Sequence, residues 1–195
     1  MFMEYNALLR KFPIGIQTFE KLRKENYLYV DKTELIWKMA FASNPYFLSR
    51  PRRFGKSLLL STFEAYFEGK KELFEGLAIE KMETEWKRYP VLHLDLNAEK
   101  YDSPKRLEDI LDNNLNIWED RFGKDVRENT LSTRFSGVIR RASEQAGSGV
   151  VVLVDEYDKP LLQSLGNDAL LEDYRKTLKA FYGVLKSADR YLRFA

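Results

Sequence analysis

A basic turn early in the chain carries Gly55, Lys56 and Ser57, three residue types that together bind phosphate groups. The turn follows the apolar run 46–48 and precedes the apolar, helix-like run 58–67. A strand, a turn that ends in Gly-Lys-Ser and then a helix are the context of a phosphate-binding loop. In that loop the glycine lets the backbone approach a phosphate, the lysine adds a point charge and the serine hydroxyl ligates Mg²⁺. The predicted phosphate site comprises Arg50, Pro51, Arg52, Arg53, Phe54, Gly55, Lys56, Ser57 and Leu58.

One position of this turn departs from the motif. The phosphate-binding loop has a leading glycine at the position where this chain has Arg50. A Gly-Lys-Ser tripeptide also occurs at ordinary helix starts, and on these residues alone that alternative stays open. Cations at a helix N-terminus oppose the helix dipole unless an anion binds there. The positive charges of Arg50, Arg52, Arg53 and Lys56 therefore favour an anion site.

A second cluster of functional residue types follows an apolar run later in the chain. The residues from Val150 to Val154 are all apolar and mostly β-branched, and Asp155 and Glu156 follow at once. Such a run is typical of a central parallel strand, and ligands bind at the carboxyl ends of such strands. The pattern is that of a Walker B motif, in which Asp155 holds Mg²⁺ and Glu156 is the catalytic residue that polarises the attacking water. The alternative is a strand followed by a solvated acidic turn.

The two clusters together make a stronger prediction than either cluster alone. Lys56, as a second catalytic residue, would contact the β- and γ-phosphates, while Ser57 and Asp155 would ligate Mg²⁺. The helical segments between the clusters fit parallel crossovers, which bring the two strands side by side. We therefore predict an α/β domain that binds a nucleoside triphosphate with Mg²⁺.

The composition excludes several other classes of protein. The chain has no cysteine, so disulfides, zinc–thiolate sites and thiol catalysis are excluded. Its 32 basic and 30 acidic residues nearly cancel and give no support for binding nucleic acid or a membrane. The longest apolar run is far too short to cross a bilayer. We expect a cytoplasmic protein with one domain over residues 1–195, comprising a lead-in at 1–43 and a nucleotide-binding core at 44–195.

The hydrophobic pattern predicts the elements that position these residues. A helix capped by Asp31 or Thr33 should turn Leu35, Ile36 and Met39 towards the core. In a strand at 89–97, three leucines alternate with less apolar residues, as an edge strand allows. Further strands are expected at 46–48, 150–154 and from 191, and further helices at 56–68, from 103, at 131–146 and at 171–185.

Four segments of the chain resemble the predicted AAA-ATPase-like family of bacterial proteins. The resemblance covers nearly the whole chain, and the Arg-Pro-Arg-Arg-Phe-Gly-Lys-Ser block is its most specific part. In that family the same arginine replaces the leading glycine, so Arg50 is a family trait. The segments are Pro13-Ile14-Gly15-Ile16-Gln17-Thr18-Phe19, Tyr29-Val30-Asp31-Lys32-Thr33, Ser49-Arg50-Pro51-Arg52-Arg53-Phe54-Gly55-Lys56-Ser57 and Val154-Asp155-Glu156-Tyr157-Asp158-Lys159-Pro160.

The resemblance implies an ATP-binding, ATP-hydrolysing domain with the three-layer αβα fold of P-loop NTPases. Its sheet would be mostly parallel and of the additional-strand class, in which the strand order is 5-1-4-3-2. A PD-(D/E)XK nuclease-like effector domain often follows the ATPase in that family. Because residues 191–195 only begin the strand expected beside the Walker B strand, we expect this chain to be an N-terminal fragment of a longer protein.

Two other functions remain open on the sequence. One is a switch that binds ATP tightly, hydrolyses it slowly and signals through an attached or partner domain. The rate of ATP hydrolysis distinguishes this switch from an ATPase. The other is a nucleic-acid-processing module linked to a nuclease, which the balanced charge does not support. A salt-dependent affinity for DNA would favour that module.

Overall fold

The chain divides into two units after Arg88. The structure is a computed structural model that describes residues 10–42, 45–49, 51, 54–97 and 100–195. The N-terminal unit comprises residues 1–88 and the C-terminal unit comprises residues 89–195. That the two units belong to one nucleotide-binding domain stays a prediction.

The N-terminal unit is built from short helices around an aromatic core. Its helices are α1 (Phe19–Lys24), α2 (Thr33–Ala42) and α3 (Lys56–Phe67), and 3₁₀ turns follow at Lys71–Phe74 and Ala78–Lys81. The rings of Phe19 and Phe74 lie 4.9 Å apart, which is typical of favourable aromatic contact. The buried apolar side chains of this core include Phe19, Leu22, Ile36, Phe63, Phe67, Phe74 and Ile79.

Asp31, two residues before the first residue of helix α2, accepts hydrogen bonds that fix the start of the helix. The Oδ1 of Asp31 accepts the Thr33 N–H at 2.8 Å, and its Oδ2 accepts the Ala78 N–H at 2.7 Å. Asp31 is thus the predicted cap, and it also joins α2 to the second 3₁₀ turn. The predicted burial of Leu35 is wrong, since this side chain is 55% exposed. Helix α2 buries one narrow stripe of side chains, which includes Ile36. Leu35 precedes Ile36 by one residue, so its side chain points about 100° around the helix axis from that stripe.

Helix α3 ends at a glycine, as the sequence predicts. Gly69 has a φ of 69°, a left-handed conformation that favours glycine. Its N–H donates to the Tyr66 carbonyl at 3.0 Å, and the Lys70 N–H donates to the Ala65 carbonyl at 3.1 Å. These two bonds form a Schellman motif, which satisfies the last carbonyl groups of the helix.

The predicted strand at 46–48 is wrong. Residues 45–49 are described and form no part of a strand. Phe47 is 72% exposed. A run of three apolar residues can form few hydrogen bonds with a neighbouring strand. Whether such a run forms a strand is therefore decided by pairing with other parts of the chain and not by its own composition.

The C-terminal unit contains an open parallel sheet. Its strands β1 (Val91–Asp95), β2 (Val150–Asp155) and β3 (Leu192–Phe194) lie in the order β1-β2-β3. The central place of β2 confirms the interpretation of its apolar run. Burial of Leu92, Leu94 and the following Leu96 confirms the predicted alternation. A small open parallel sheet is compatible with the αβα fold that the resemblance implies, and the additional-strand order stays a prediction.

Helices connect the parallel strands. Helices α4 (Pro104–Phe122) and α5 (Leu131–Ala146) lie between β1 and β2 in the chain, and α6 (Lys159–Gln163) and α7 (Asp168–Ser187) lie between β2 and β3. Parallel strands require such crossovers. The predicted core face of α4 is confirmed, because all five of its members are buried: Leu107, Ile110, Leu111, Leu115 and Trp118. The chain is therefore an α/β protein with a small parallel sheet.

A buried ion pair joins α4 to α5. The Nε of Arg134 donates to the Glu119 carboxylate at 2.8 Å, and the two side chains are 11% and 3% exposed. The guanidinium also contacts Asp112 and Asn116. The Arg134 guanidinium lowers the pKa of Glu119, against the opposing effect of burial.

The helices formed by the described residues include none that is both long and apolar enough to cross a lipid bilayer.

Candidate functional site

Gly55 begins helix α3 in a left-handed conformation, with φ 74° and ψ 24°. That conformation costs a residue with a Cβ about 1–2 kcal/mol, so the backbone itself requires glycine here. A Cβ built on Gly55 would meet no atom of the described residues within 4 Å. Among these residues, the space beside this stretch of backbone is open, as a phosphate-binding turn requires.

The N-terminus of α3 has the polarity that attracts an anion. Its hydrogen-bond ladder begins with the Leu59 N–H, which donates to the Gly55 carbonyl at 2.9 Å. The N–H groups of residues 56–58 precede that ladder and have no acceptor within the helix. The first turn contains no acidic residue, and its N-cap, Gly55, has no side chain that could accept from these N–H groups. A bound anion would be stabilised by these N–H groups and by the helix dipole.

The other predicted members of this turn differ in exposure. Lys56, Ser57 and Leu58 are partly exposed, whereas Pro51 and Phe54 are exposed. Arg50, Arg52 and Arg53 lie outside the described residues. Their predicted roles at a phosphate therefore stay predictions.

Side chains in the middle of α3 fix the helix that carries the turn. The Ser61 hydroxyl accepts the N–H of Phe19, the first residue of α1, at 2.9 Å. Phe63 and Phe67 are buried in the core of the N-terminal unit. The Gly55 turn thus projects from a helix that both a hydrogen bond and apolar packing hold in place.

Asp155 ends the central strand β2 and is nearly buried, with 7% of its surface exposed. Its Oδ1 accepts the N–H of Glu156 at 2.9 Å. Among the described residues, Oδ2 makes no hydrogen bond or ion pair. A carboxylate held on one oxygen and available on the other fits a ligand of Mg²⁺, which prefers oxygen donors.

Glu156 has an uncommon backbone conformation. Its φ is 51°, in the left-handed region. Non-glycine residues rarely adopt this region, and such strain occurs most often at functional sites, where surrounding contacts maintain it. One such contact is the Lys159 N–H, which donates to the Glu156 carbonyl at 2.9 Å. Asn26 and Trp86 also have a positive φ, so it is the combination of this conformation with the acidic motif at the end of β2 that makes Glu156 a candidate.

The end of β1 lies beside the end of β2 and adds polar residues near the acidic turn, of which Asn97 was not predicted from the sequence. Asp95 is paired in register with Asp155. The Asp95 carboxylate accepts the Asn97 N–H at 2.7 Å, and the Lys159 ammonium contacts Asn97 in turn. Asn97 and Lys159 are 62 residues apart, so their contact had no signal in the sequence.

Two tyrosines contribute neutral side chains near the acidic turn. Burial, followed by the charges of Asp158 and Glu156, raises the pKa of Tyr157. Burial also raises the pKa of Tyr182, whose hydroxyl is buried without a hydrogen-bond partner among the described residues. Both phenols therefore remain protonated at neutral pH and add no charge to the site.

Comparison with known proteins identifies the family of the chain. Residues 13–195 match the model of a family described as Predicted AAA-ATPase. The chain belongs to this family. A protein of Azotobacter chroococcum mcd 1, named "Uncharacterized protein in vnfD 5'region", is 40% identical over 187 residues, which are 95% of this chain and 36% of that protein. No solved structure matches the chain significantly.

Membership in the Predicted AAA-ATPase family suggests that the chain binds ATP. The described residues contain no group of three or more acidic or histidine side chains that could hold a metal by themselves. A Mg²⁺ ion bound by Asp155 would therefore need oxygens from elsewhere, and phosphates and water normally supply them at nucleotide sites. Gly55–Ser57 belongs to the N-terminal unit and Asp155–Glu156 to the C-terminal unit, and their convergence on one nucleotide stays a prediction.

Proposed function

We propose that this chain binds ATP with Mg²⁺ and hydrolyses the bond between the β- and γ-phosphates. Membership in the Predicted AAA-ATPase family supports the binding of ATP. The observation that carries the proposal is the end of β2. There a nearly buried aspartate precedes a glutamate held in a left-handed conformation, at the carboxyl end of the central parallel strand.

Each motif residue has one role in this proposal. The N–H groups at the start of α3 and the Lys56 ammonium hold the phosphates, and Ser57 and Asp155 ligate Mg²⁺. Bound Mg²⁺ supplies charge neutralisation at the phosphate oxygens. Glu156 accepts a hydrogen bond from the attacking water, orients it in line with the scissile bond and takes up its proton. The remaining predicted contacts to the nucleotide are Arg50, Pro51, Arg52, Arg53, Phe54 and Leu58.

The Glu156→Gln variant tests the catalytic part of the proposal. Glutamine keeps the size of the side chain but cannot take up a proton, so the rate of ATP hydrolysis should fall about a hundredfold or more. ATP affinity should stay within about twofold, because Glu156 does not hold the phosphates. Glu172→Gln is the matched control, since it makes the same chemical change on the exposed face of α7. A rate in Glu156→Gln equal to that of the control would exclude Glu156 as the base.

We further propose that ATP hydrolysis drives or gates an effector, either in the same polypeptide or in a partner. The relative from Azotobacter chroococcum mcd 1 supports this, because the chain spans only 36% of its length. The alternative is a switch with slow turnover. Hydrolysis at about 1 s⁻¹ or faster would favour the driving role, and tight ATP binding with far slower turnover would favour the switch.

A further inference from the structure

A lysine and an asparagine join the ends of β1 and α6 at the acidic turn. The Lys159 ammonium donates to Asn97 Oδ1 at 2.9 Å and also to the Asn97 backbone carbonyl. Both acceptors belong to the residue that leaves β1, next to the end of β2. The Lys159 side chain therefore spans from the helix after the Walker B turn to the neighbouring strand.

The same lysine also contacts Glu156 through its backbone. Its N–H donates to the Glu156 carbonyl at 2.9 Å. The Asn97 end of the contact is held as well, because the Asn97 N–H donates to Asp95 and the Leu96 N–H donates to the Asp155 carbonyl at 3.2 Å. The Glu156 backbone is thus part of a ring of hydrogen bonds and short chain segments that begins and ends at Asp155.

The position of Lys159 has no explanation in helix α6 itself. Lys159 is the first residue of this short helix, where a cation opposes the helix dipole. Glu156, in turn, has a backbone conformation that a glutamate leaves unless its surroundings maintain it. The contact with Asn97 accounts for both observations. The Lys159 ammonium donates its hydrogen bonds to Asn97, and the contact restrains the turn that contains Glu156.

We infer that Lys159 and Asn97 are positioning residues that hold Glu156 in its left-handed conformation and so aim its carboxylate. This inference rests on the proposed role of Glu156 as the base. Neither residue contacts the reacting atoms in this account. Loss of either residue should leave ATP binding intact. It should lower the fraction of molecules in which the turn holds the Glu156 carboxylate in the orientation needed for hydrolysis.

Amide hydrogen exchange in the nucleotide-free protein tests the structural part of the inference. Lys159→Met removes the ammonium and keeps the aliphatic stem, and Asn97→Ala removes the side-chain acceptor. In Lys159→Met the amide of residue 159 should exchange about tenfold faster, because its hydrogen bond to the Glu156 carbonyl opens more often. In Asn97→Ala the increase should be smaller, because the Asn97 backbone carbonyl still accepts from the Lys159 ammonium. Lys176→Met removes an exposed lysine from α7 and should leave that exchange rate unchanged.

Steady-state kinetics test the functional part. Lys159→Met should lower kcat about tenfold while KM for ATP stays within about twofold, and Asn97→Ala should lower kcat by less, because the Asn97 backbone carbonyl remains as an acceptor. The double variant Lys159→Met/Asn97→Ala should be no slower than Lys159→Met alone, since the ammonium that makes the contact is already lost there. Lys159→Arg, which keeps a cation with several donors, should recover part of kcat.

The outcomes separate this inference from the proposed function. Faster exchange in the variants of a protein whose wild type does not hydrolyse ATP would refute the proposed function and retain the positioning contact. Normal hydrolysis by the wild type, with exchange and kcat unchanged in Lys159→Met, would overturn the inference alone. An equal loss of ATP affinity and kcat would also overturn it, because it would show a general structural defect.

Discussion

Gly55→Ala separates the backbone requirement at Gly55 from its proposed contact with phosphate, because Gly76 provides a matched control. The two glycines have φ values of 74° and 75°, and a Cβ built on either one meets no atom of the described residues within 4 Å. Alanine at either position therefore clashes with none of these residues, and we expect it to carry only the cost of the left-handed conformation, about 1–2 kcal/mol. Chemical denaturation should show equal losses in the free energy of unfolding, within about 0.5 kcal/mol.

Only Gly55→Ala should weaken ATP binding. Its new methyl group would occupy the open space through which a phosphate approaches the N–H groups of α3. We expect an affinity for Mg-ATP about tenfold lower or weaker still, measured by isothermal titration calorimetry, and an unchanged affinity in Gly76→Ala. If Gly55→Ala lost as much stability as Gly76→Ala yet bound ATP as tightly as the wild type, the phosphate would not lie at this turn.

Two carboxylates outside the proposed site give further predictions. Arg134→Met leaves the buried Glu119 carboxylate with only the exposed Lys124, 3.5 Å away, and should lower the free energy of unfolding by about 3 kcal/mol. Adding Glu119→Gln should restore part of that loss in urea denaturation, and no recovery would contradict the assignment of the loss to a buried unpaired charge. Burial acts to raise the pKa of Asp31, but the hydrogen bonds that its carboxylate accepts outweigh burial, and the net effect is a lowered pKa. The stabilisation that the ionised carboxylate contributes is therefore lost as the pH falls below the ordinary pKa of aspartate. Asp31→Asn should therefore flatten the decline in stability between about pH 5 and pH 3, and an unchanged slope would contradict this role.

The parts of the fold that the sequence predicts well are those in which one residue pattern decides one local structure. The alternating leucines of β1 have only one way to bury a common face, and the glycine at position 69 allows α3 to end there. The uninterrupted apolar run of β2 suits a strand covered on both faces, and β2 is indeed central. The failures concern elements whose outcome depends on partners. Residues 46–48 lack the length to specify a strand, and Leu35 lies next to the buried stripe of α2 and outside it.

The candidate site also contains some features that the sequence predicts and others that only the structure shows. Residue types and spacing predict Gly55, Lys56, Ser57, Asp155 and Glu156 as site residues, because phosphate and metal binding use those residue types. The left-handed conformation of Glu156 has no such signature, since glutamate rarely adopts this region and no residue pattern calls for it here. The ring through Asn97 and Lys159 likewise depends on the parallel pairing of β1 with β2, which brings together residues 62 positions apart.

The most direct test of the central claim is the affinity for ATP of the wild type and of Lys56→Ala, each measured with and without Mg²⁺. Lys71→Ala, which removes an exposed lysine beyond the end of α3, is the control. We predict that the wild type and Lys71→Ala bind ATP more tightly with Mg²⁺ than without it, and that Lys56→Ala binds about tenfold more weakly or worse. Equal affinities in the wild type and Lys56→Ala would contradict the placement of the phosphates at the start of α3.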